Sequence, residues 1–413
     1  MIERNEIFKI LEDYNLDDIT IGVLGSHSAL DISRGAKEFG FKTLVVCQRG
    51  RDKTYAKYYK SRKWKGVVDE VILLDKFSEI TNPEVIEKMQ SKNTIFLPHR
   101  SFEVYVGFEK IENEFKIPLF GSRNMLRAEE RYVERNQYYL MEKGGIPYPR
   151  VYEKTPLQPD LRGDRLYKGD NIDRLVIVKV AEKQRTYERA FFFASNGEEY
   201  SRKAQELIKK DIITPDALQE AVIEEFVLGT QFNLNFFYSP VNGELELLGV
   251  DTRRQTNLDG LLRLPAQQQI QLLDSSGEID IDKEDIESLY DEETDTYITI
   301  NPQHIIGQEA RSIVDIKAIE AGHIACTVKE SLLEQIFELG EKFVNVSKQE
   351  YPPGIIGTFA LQCALTPGPP KEKFVCFDIS MRVQGSPGTA FTPYSGYLYE
   401  KSLSVGEKES GWK

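Results

Sequence analysis

A chain of 413 residues is too long for one hydrophobic core and predicts two or three lobes. With 40% hydrophobic and 29% charged residues it has the composition of an ordinary globular protein, while a formal net charge of -13 and a pI near 5.1 exclude bulk binding to nucleic acid or an anionic membrane, which need a basic footprint. The charged N-terminus MIERNEIFKILEDYNLDD has no apolar signal core, and no stretch approaches the roughly 20 apolar residues of a membrane span, so a cytoplasmic location is expected.

From residue 19 to 121, strand-like and helix-like runs alternate: ITIGVLG, ALDISRGAKEFG, KTLVVCQ, EVILLD, PEVIEKMQ, NTIFLPH and IPLFGS. This pattern predicts an open parallel sheet of the doubly wound kind, in which ligands sit beyond the carboxyl ends of the strands. The residues following the strands are Gly25-Ser26-His27-Ser28, Gln48-Arg49-Gly50-Arg51-Asp52, Pro98-His99-Arg100-Ser101 and Gly121-Ser122-Arg123. Singly, such a serine is commonly a helix cap and such an arginine is commonly solvated. At one sheet edge they converge, and with the backbone N–H groups of a helix start they suit a phosphate-bearing small molecule.

A long charged helix is expected over Met125 to Lys143, stopped by Gly144-Gly145 and the prolines that follow. The second lobe opens with a polar stretch, Glu153 to Asp173, followed by the strand Arg174 to Val180, the charged AEKQRTYERA and the apolar FFFAS. Lys179 at that strand end suits a nucleotide phosphate, and equally a lysine reaching out to water. Ala221 to Gly229 reads as an apolar strand interrupted by Glu224 and Glu225, one of which should face a cleft, since burying both is costly. Asp274 to Asp295 is acidic and poor in large apolar residues, the composition of a mobile surface insertion. Val328 to Val346 has apolar residues at helical spacing.

Near the C-terminus, Ile356 to Leu365 and Phe374 to Val383 each alternate with a period of two and form a predicted hairpin. Alternation puts Val375, Phe377, Ile379, Met381 and Val383 on the apolar face and Asp378, Ser380 and Arg382 on the other, with Gln362 on the corresponding face of the first strand. A carboxylate and an amide oxygen beside an arginine can seat Mg²⁺ with a polyphosphate; the same residues also suit a half-exposed hairpin with a solvated face. The cysteines Cys47, Cys326, Cys363 and Cys376 lack zinc spacing and read as buried reduced thiols, and the four histidines are isolated in sequence. No Walker A, G-x-G-x-x-G, G-x-S-x-G or H-E-x-x-H motif occurs.

Taken together, GVLGSHSALDISRGAKEFGF, IEEFVLGTQF, GVDTRRQTNLDGLLRLPA, YPPGIIGTFALQ and FVCFDISMRVQGSPGTAFTPYS resemble the archaeal formate-phosphoribosylaminoimidazolecarboxamide ligase (FAICAR synthetase) family of the ATP-grasp superfamily, in order and over nearly the whole chain. The resemblance implies an α/β chain, α+β in its C-terminal part: a preATP-grasp parallel-sheet domain over 1–124, a linker helix and small ATP-grasp lobe over 125–228, and a large lobe over 229–413 with an acidic insertion near 271–300. It implies ATP with Mg²⁺ or Mn²⁺, formate activated as formyl phosphate, and transfer of the formyl group to the amine of AICAR in purine biosynthesis. His27, Ser26, Ser101 and Asn257 would contact AICAR, while Lys179, Glu224, Glu225, Phe226 and Val227 would hold ATP. Gln362 and Asp378 would carry the metal, and Lys179 and Arg382 would share the phosphoryl charge. A homo-oligomer acting on small molecules is expected.

Departures from the family point to a divergent paralogue. Glu182 to Arg189 replaces a glycine-rich phosphate loop, Asp378 stands for glutamate, Arg100 replaces a small residue, and the glycine-rich segment after the last strand is altered. The alternatives these leave are a catalytically impaired paralogue that binds purine nucleotides or serves as a partner or regulatory subunit, and an ATP-grasp ligase with another carboxylate or amine.

Overall fold

The computed structural model describes residues 1–152, 155–156, 167–168, 171–180, 191–255, 290–291, 296–297, 320–368 and 370–411. Asn257, the segment Glu182 to Arg189 and most of the acidic stretch lie outside the described residues. The chain divides into two units, Met1–Thr252 with His323–Lys413, and Arg253–Gly322. In the second, the two-residue strands Tyr290–Asp291 and Thr296–Tyr297 pair antiparallel.

The first unit begins with a parallel sheet of β1 (Thr20–Leu24), β2 (Lys42–Gln48), β3 (Glu70–Leu74) and β4 (Thr94–Phe96), in the order β3-β2-β1-β4. Every residue of β1 is buried, as befits a central strand with helices on both faces. The expected strand IPLFGS reaches β4 only through the bridge Phe96↔Leu119. Pro118 has no N–H to extend a ladder, and its carbonyl instead accepts the Phe96 N–H at 2.8 Å.

A second, antiparallel sheet has the order β5-β8-β6-β7, from β5 (Val151–Tyr152), β6 (Val176–Lys179), β7 (Phe191–Ala194) and β8 (Val222–Glu225). The third is five-stranded, β11-β10-β9-β12-β13, from β9 (Thr230–Ser239), β10 (Glu244–Gln255), β11 (Glu320–Cys326), β12 (Gly357–Thr366) and β13 (Lys373–Ser380). On one face of it Leu234, Phe236, Phe359, Leu361 and Cys363 join Phe343 of the helix Leu333–Glu350 in the largest core.

Two expectations are corrected. The helix over Met125 to Lys143 is broken into a 3₁₀ segment, Arg123–Glu129, and the α-helix Gln137–Lys143. Tertiary contacts override helix propensity between them: the Glu129 carboxylate accepts the Met381 N–H, Arg131 ion-pairs with Asp378, and the Asn136 side chain accepts the N–H groups of Tyr138 and Tyr139 to start the new helix. The alternation assigned to Phe374 to Val383 also fails at one point. Cys363 faces Cys376 while Gln362 faces Asp378, so Phe377 is an extra, bulged residue. Phe374 and Cys376 therefore enter the core with Ile379 and Met381, and Val375 and Phe377 stay half-buried outside it. All four cysteines are free, with Cys326 the one not fully buried.

Candidate active site

The loop after β1 enters the helix Ala29–Glu38 through His27, whose φ of 47° lies in the left-handed region. Its Nδ1 is 2.6 Å from the Ser28 hydroxyl, which donates to the Gln384 carbonyl at 2.7 Å. The Ser101 hydroxyl, on the first turn of the helix Arg100–Val106, donates to the Ser26 hydroxyl at 3.1 Å. Ser26, His27 and Ser101 thus meet at the carboxyl edge of the parallel sheet. His99 is fully buried, stacks on the His27 ring with centroids 5.5 Å apart, and bonds the Leu24 carbonyl through Nε2 at 2.9 Å. Burial pushes its pKa down to about 4, so it serves as a neutral platform under His27. Gly385 lies against His27 so closely that a Cβ there would stand 2.7 Å from the ring.

The arginines expected at this edge turn elsewhere. Arg49 pairs with Asp75 and Arg51 donates to the Tyr105 hydroxyl. Arg123 donates to the carbonyls of Ile111 and Ile117, and burial draws its pKa down to about 10. Arg100 bonds Glu103 at 3.0 Å and Glu130 at 3.1 Å. Arg382 joins the same cluster, 3.2 Å from Glu103 and 3.1 Å from Glu129. Burial raises the pKa of Glu103, and that of Glu129 to about 8. Together with the bridge His99↔Val383, this cluster ties the edge of the first sheet to the end of β13.

The second and third sheets meet around Lys179. It is buried rather than reaching to water: its ammonium is 2.5 Å from Glu224, donates to the Phe377 carbonyl at 3.0 Å and lies over the Phe377 ring. Burial lowers its pKa, against the pull of Glu224. Glu224 also accepts the Tyr138 hydroxyl. Burial would lower the pKa of Arg131, but Asp378, Tyr138 and Glu224 outweigh it and hold the guanidinium charged. Glu225 is half-buried and paired with Arg174 at 3.2 Å, and the Phe226 N–H donates to the Leu175 carbonyl at 2.9 Å. Glu224 is therefore the carboxylate that faces inward, with Val227 following Phe226 beyond the strand end.

Register sets the remainder. Asp251, Asn233, Gln362 and Asp378 are successive cross-strand partners on β10, β9, β12 and β13, and directly opposed residues project to one face. Asp378 and Gln362 together offer a carboxylate and an amide oxygen, a hard-donor set that fits Mg²⁺, which needs one or two carboxylates when phosphates and waters complete its octahedron. Arg131 is the counter-ion of Asp378 here. Among the described residues no cluster of three His, Cys, Asp or Glu could hold a metal alone.

Sequence reasoning missed Arg131 and Tyr138, hidden by the expected long helix, and the polar group around Asp251. Its signal was present in QFNLNFF, where Asn233 and Asn235, two apart in an apolar strand, must share a face.

A parallel-sheet domain leading into an antiparallel lobe and a large antiparallel sheet that meet around a buried polar cluster defines the ATP-grasp class. The crystal structure of the IMP biosynthesis protein PurP from Thermococcus kodakaraensis has the same fold, with a TM-score of 0.60 at 24% identity over 94% of each chain. N5-carboxyaminoimidazole synthetase from Staphylococcus aureus, solved as a complex with ADP, also shares it: the TM-score is 0.53 at 11% identity, over 95% of this chain and 77% of that one. Residues 21–152 match the family model described as Protein of unknown function (DUF1246), and residues 199–284 and 280–410 match Domain of unknown function (DUF1297). The 5-formaminoimidazole-4-carboxamide-1-(beta)-D-ribofuranosyl 5'-monophosphate synthetase of Methanocaldococcus jannaschii is 36% identical over 411 residues, 99% of this chain and 95% of its own. The chain belongs to this FAICAR synthetase family. Among the described residues no helix is long and apolar enough to cross a membrane.

Proposed function

We propose that this protein is the ATP-dependent ligase that formylates AICAR with formate. The observation that carries the reading is the register placing Gln362 beside Asp378, next to the buried Lys179–Glu224 pair. A formate oxygen attacks the γ-phosphorus, ADP leaves, and the AICAR amine then attacks the formyl carbon to release phosphate. Gln362 and Asp378 would hold Mg²⁺, which would supply charge stabilisation to the phosphoryl oxygens. Lys179 steers phosphate by exchanging Glu224 for it, and Arg382 adds positive charge where β13 meets the nucleotide edge, moderated by Glu103 and Glu129. Glu224 to Val227 hold base and ribose, while Ser26, His27 and Ser101 hold AICAR and orient its amine.

The reading carries with it the lobe division 1–124, 125–228 and 229–413, a cytoplasmic location and a homo-oligomer. Incubating the protein with Mg-ATP, formate and AICAR should yield FAICAR, ADP and phosphate in equal amounts. Turnover no greater than that of Asp378→Asn refutes it.

A further inference from the structure

The break in the expected helix leaves Arg131 in a turn between the 3₁₀ segment Arg123–Glu129 and the helix Gln137–Lys143. The Asn136 side chain fixes that turn by donating to the Arg131 carbonyl at 2.9 Å. The guanidinium pairs with Asp378, and its Nε points at the Tyr138 hydroxyl, 3.4 Å away. Tyr138 in turn donates to Glu224, the partner of Lys179. Cation and carboxylate thus alternate from Lys179 through Glu224 and Arg131 to Asp378, with the Tyr138 hydroxyl joining the two pairs.

The two pairs differ in how easily they can part. In Lys179–Glu224 the side chains are 7% and 2% exposed, whereas in Arg131–Asp378 each is 23% exposed. Water reaches both members of the second pair, so separating them strands no dry charge, and the partners can be exchanged at modest cost. Asp378 is also the carboxylate that, opposite Gln362, offers oxygen to a divalent cation. A dication on Asp378 would stand beside the guanidinium, and like charges that close repel strongly where water is partly excluded. Arg131 and a metal therefore compete for one carboxylate. A polyphosphate removes the conflict, because its oxygens coordinate the metal and also accept a guanidinium in bidentate fashion.

We propose that Arg131 makes metal binding at Asp378 conditional on nucleotide: it keeps free Mg²⁺ off the carboxylate, and it passes to a phosphate of ATP when metal and nucleotide arrive together. This rests on the ligase reading above, in which Gln362 and Asp378 would hold the metal. One ion pair is exchanged for another and no covalent bond changes. Arg131 becomes a phosphate-binding residue by the same movement that opens Asp378 to the metal.

Mn²⁺, followed by its electron paramagnetic resonance signal, reports metal binding without turnover. Wild type and Arg131→Met are titrated with Mn²⁺ alone and then with Mn²⁺ and a non-hydrolysable ATP analogue. Arg131→Met is expected to bind free Mn²⁺ about 10- to 100-fold more tightly than wild type. It should bind the Mn²⁺–analogue complex about tenfold more weakly, through the lost phosphate contact. Arg131→Lys, which keeps the charge, should return the free-metal affinity towards wild type. A pair that only braces the fold would move neither affinity. Free Mn²⁺ bound by Arg131→Met no more tightly than by wild type, or undiminished affinity for the complex, overturns the proposal. If circular dichroism shows Arg131→Met to be unfolded, Arg131→Gln takes its place with the same outcomes. Adding Asp378→Asn to the variant should abolish the gain in free-metal affinity. Mn²⁺ binding that survives this change, or none by wild type even with the analogue, would instead refute the metal reading.

Discussion

The buried pair Lys179–Glu224 can be tested by a double-mutant cycle. Both side chains are nearly inaccessible, 7% and 2% exposed, and the charges stand 2.5 Å apart. Removing one member of such a pair leaves the other as an uncompensated buried charge, at a cost of about 3–5 kcal/mol. Glu224→Gln keeps an acceptor for the Tyr138 hydroxyl and belongs near the lower figure; Lys179→Met leaves Glu224 facing Tyr138 and Arg131 and should cost a similar amount. In the double variant neither charge is stranded, so its loss should fall short of the sum of the single losses by about 2 kcal/mol, within the range seen for contacting residues. Urea unfolding at pH 7, followed by circular dichroism, measures all four corners. Single losses below about 0.5 kcal/mol, or a double loss equal to their sum, would refute the claim that the two charges are held there by each other.

Other consequences are as direct. Glu409 is fully buried against the Thr358 N–H and burial raises its pKa to about 8. The folded state therefore binds its proton more tightly than the unfolded chain, and stability present below the unfolded value of about 4.5 is lost as pH rises towards 8. Glu409→Gln should flatten this fall, and parallel unfolding midpoints from pH 5 to 8 for variant and wild type would count against it. Gly385→Ala pushes a methyl into the His27 ring and, under the ligase reading, should raise KM for AICAR more than it lowers the melting temperature, as steady-state kinetics and a thermal scan can show. Asn136→Ala removes the cap accepting the Tyr138 and Tyr139 N–H groups and should cost about 1 kcal/mol in urea. Under the ligase reading, Asp378→Asn should raise the Mg²⁺ concentration needed for half-maximal turnover at saturating ATP.

Periodicity made the strands legible: the continuous run of β1 becomes a wholly buried strand, and the alternation of β12 puts Phe359, Leu361 and Cys363 on the core face, although its other face is buried as well. Ser26, His27 and Ser101 were legible for a topological reason, since parallel strands deliver their following residues to one edge. What escaped depends on distant partners. Nothing local to Arg131 tells that Asp378 waits for it, so its segment read as helix. The bulge at Phe377 leaves no mark in a sequence whose apolar residues occupy both parities. Asp251 and His323 lie far apart in the chain and meet through the pairing of two strands, a relation that no local spacing encodes.

The row Asp251, Asn233, Gln362 and Asp378 has an implication for how such a site changes over time. Because side chains alternate faces, inserting or deleting one residue within β9 or β12 would turn the outer members of the row away from the inner ones. Point substitutions can retune each position, while an added residue is absorbed in a turn, such as that between Thr366 and Lys373, or in a bulge, as at Phe377. Relatives should therefore differ in loop length and in bulges, with the four positions kept opposed across the sheet, since a bulge restores the facing that an added residue would otherwise turn.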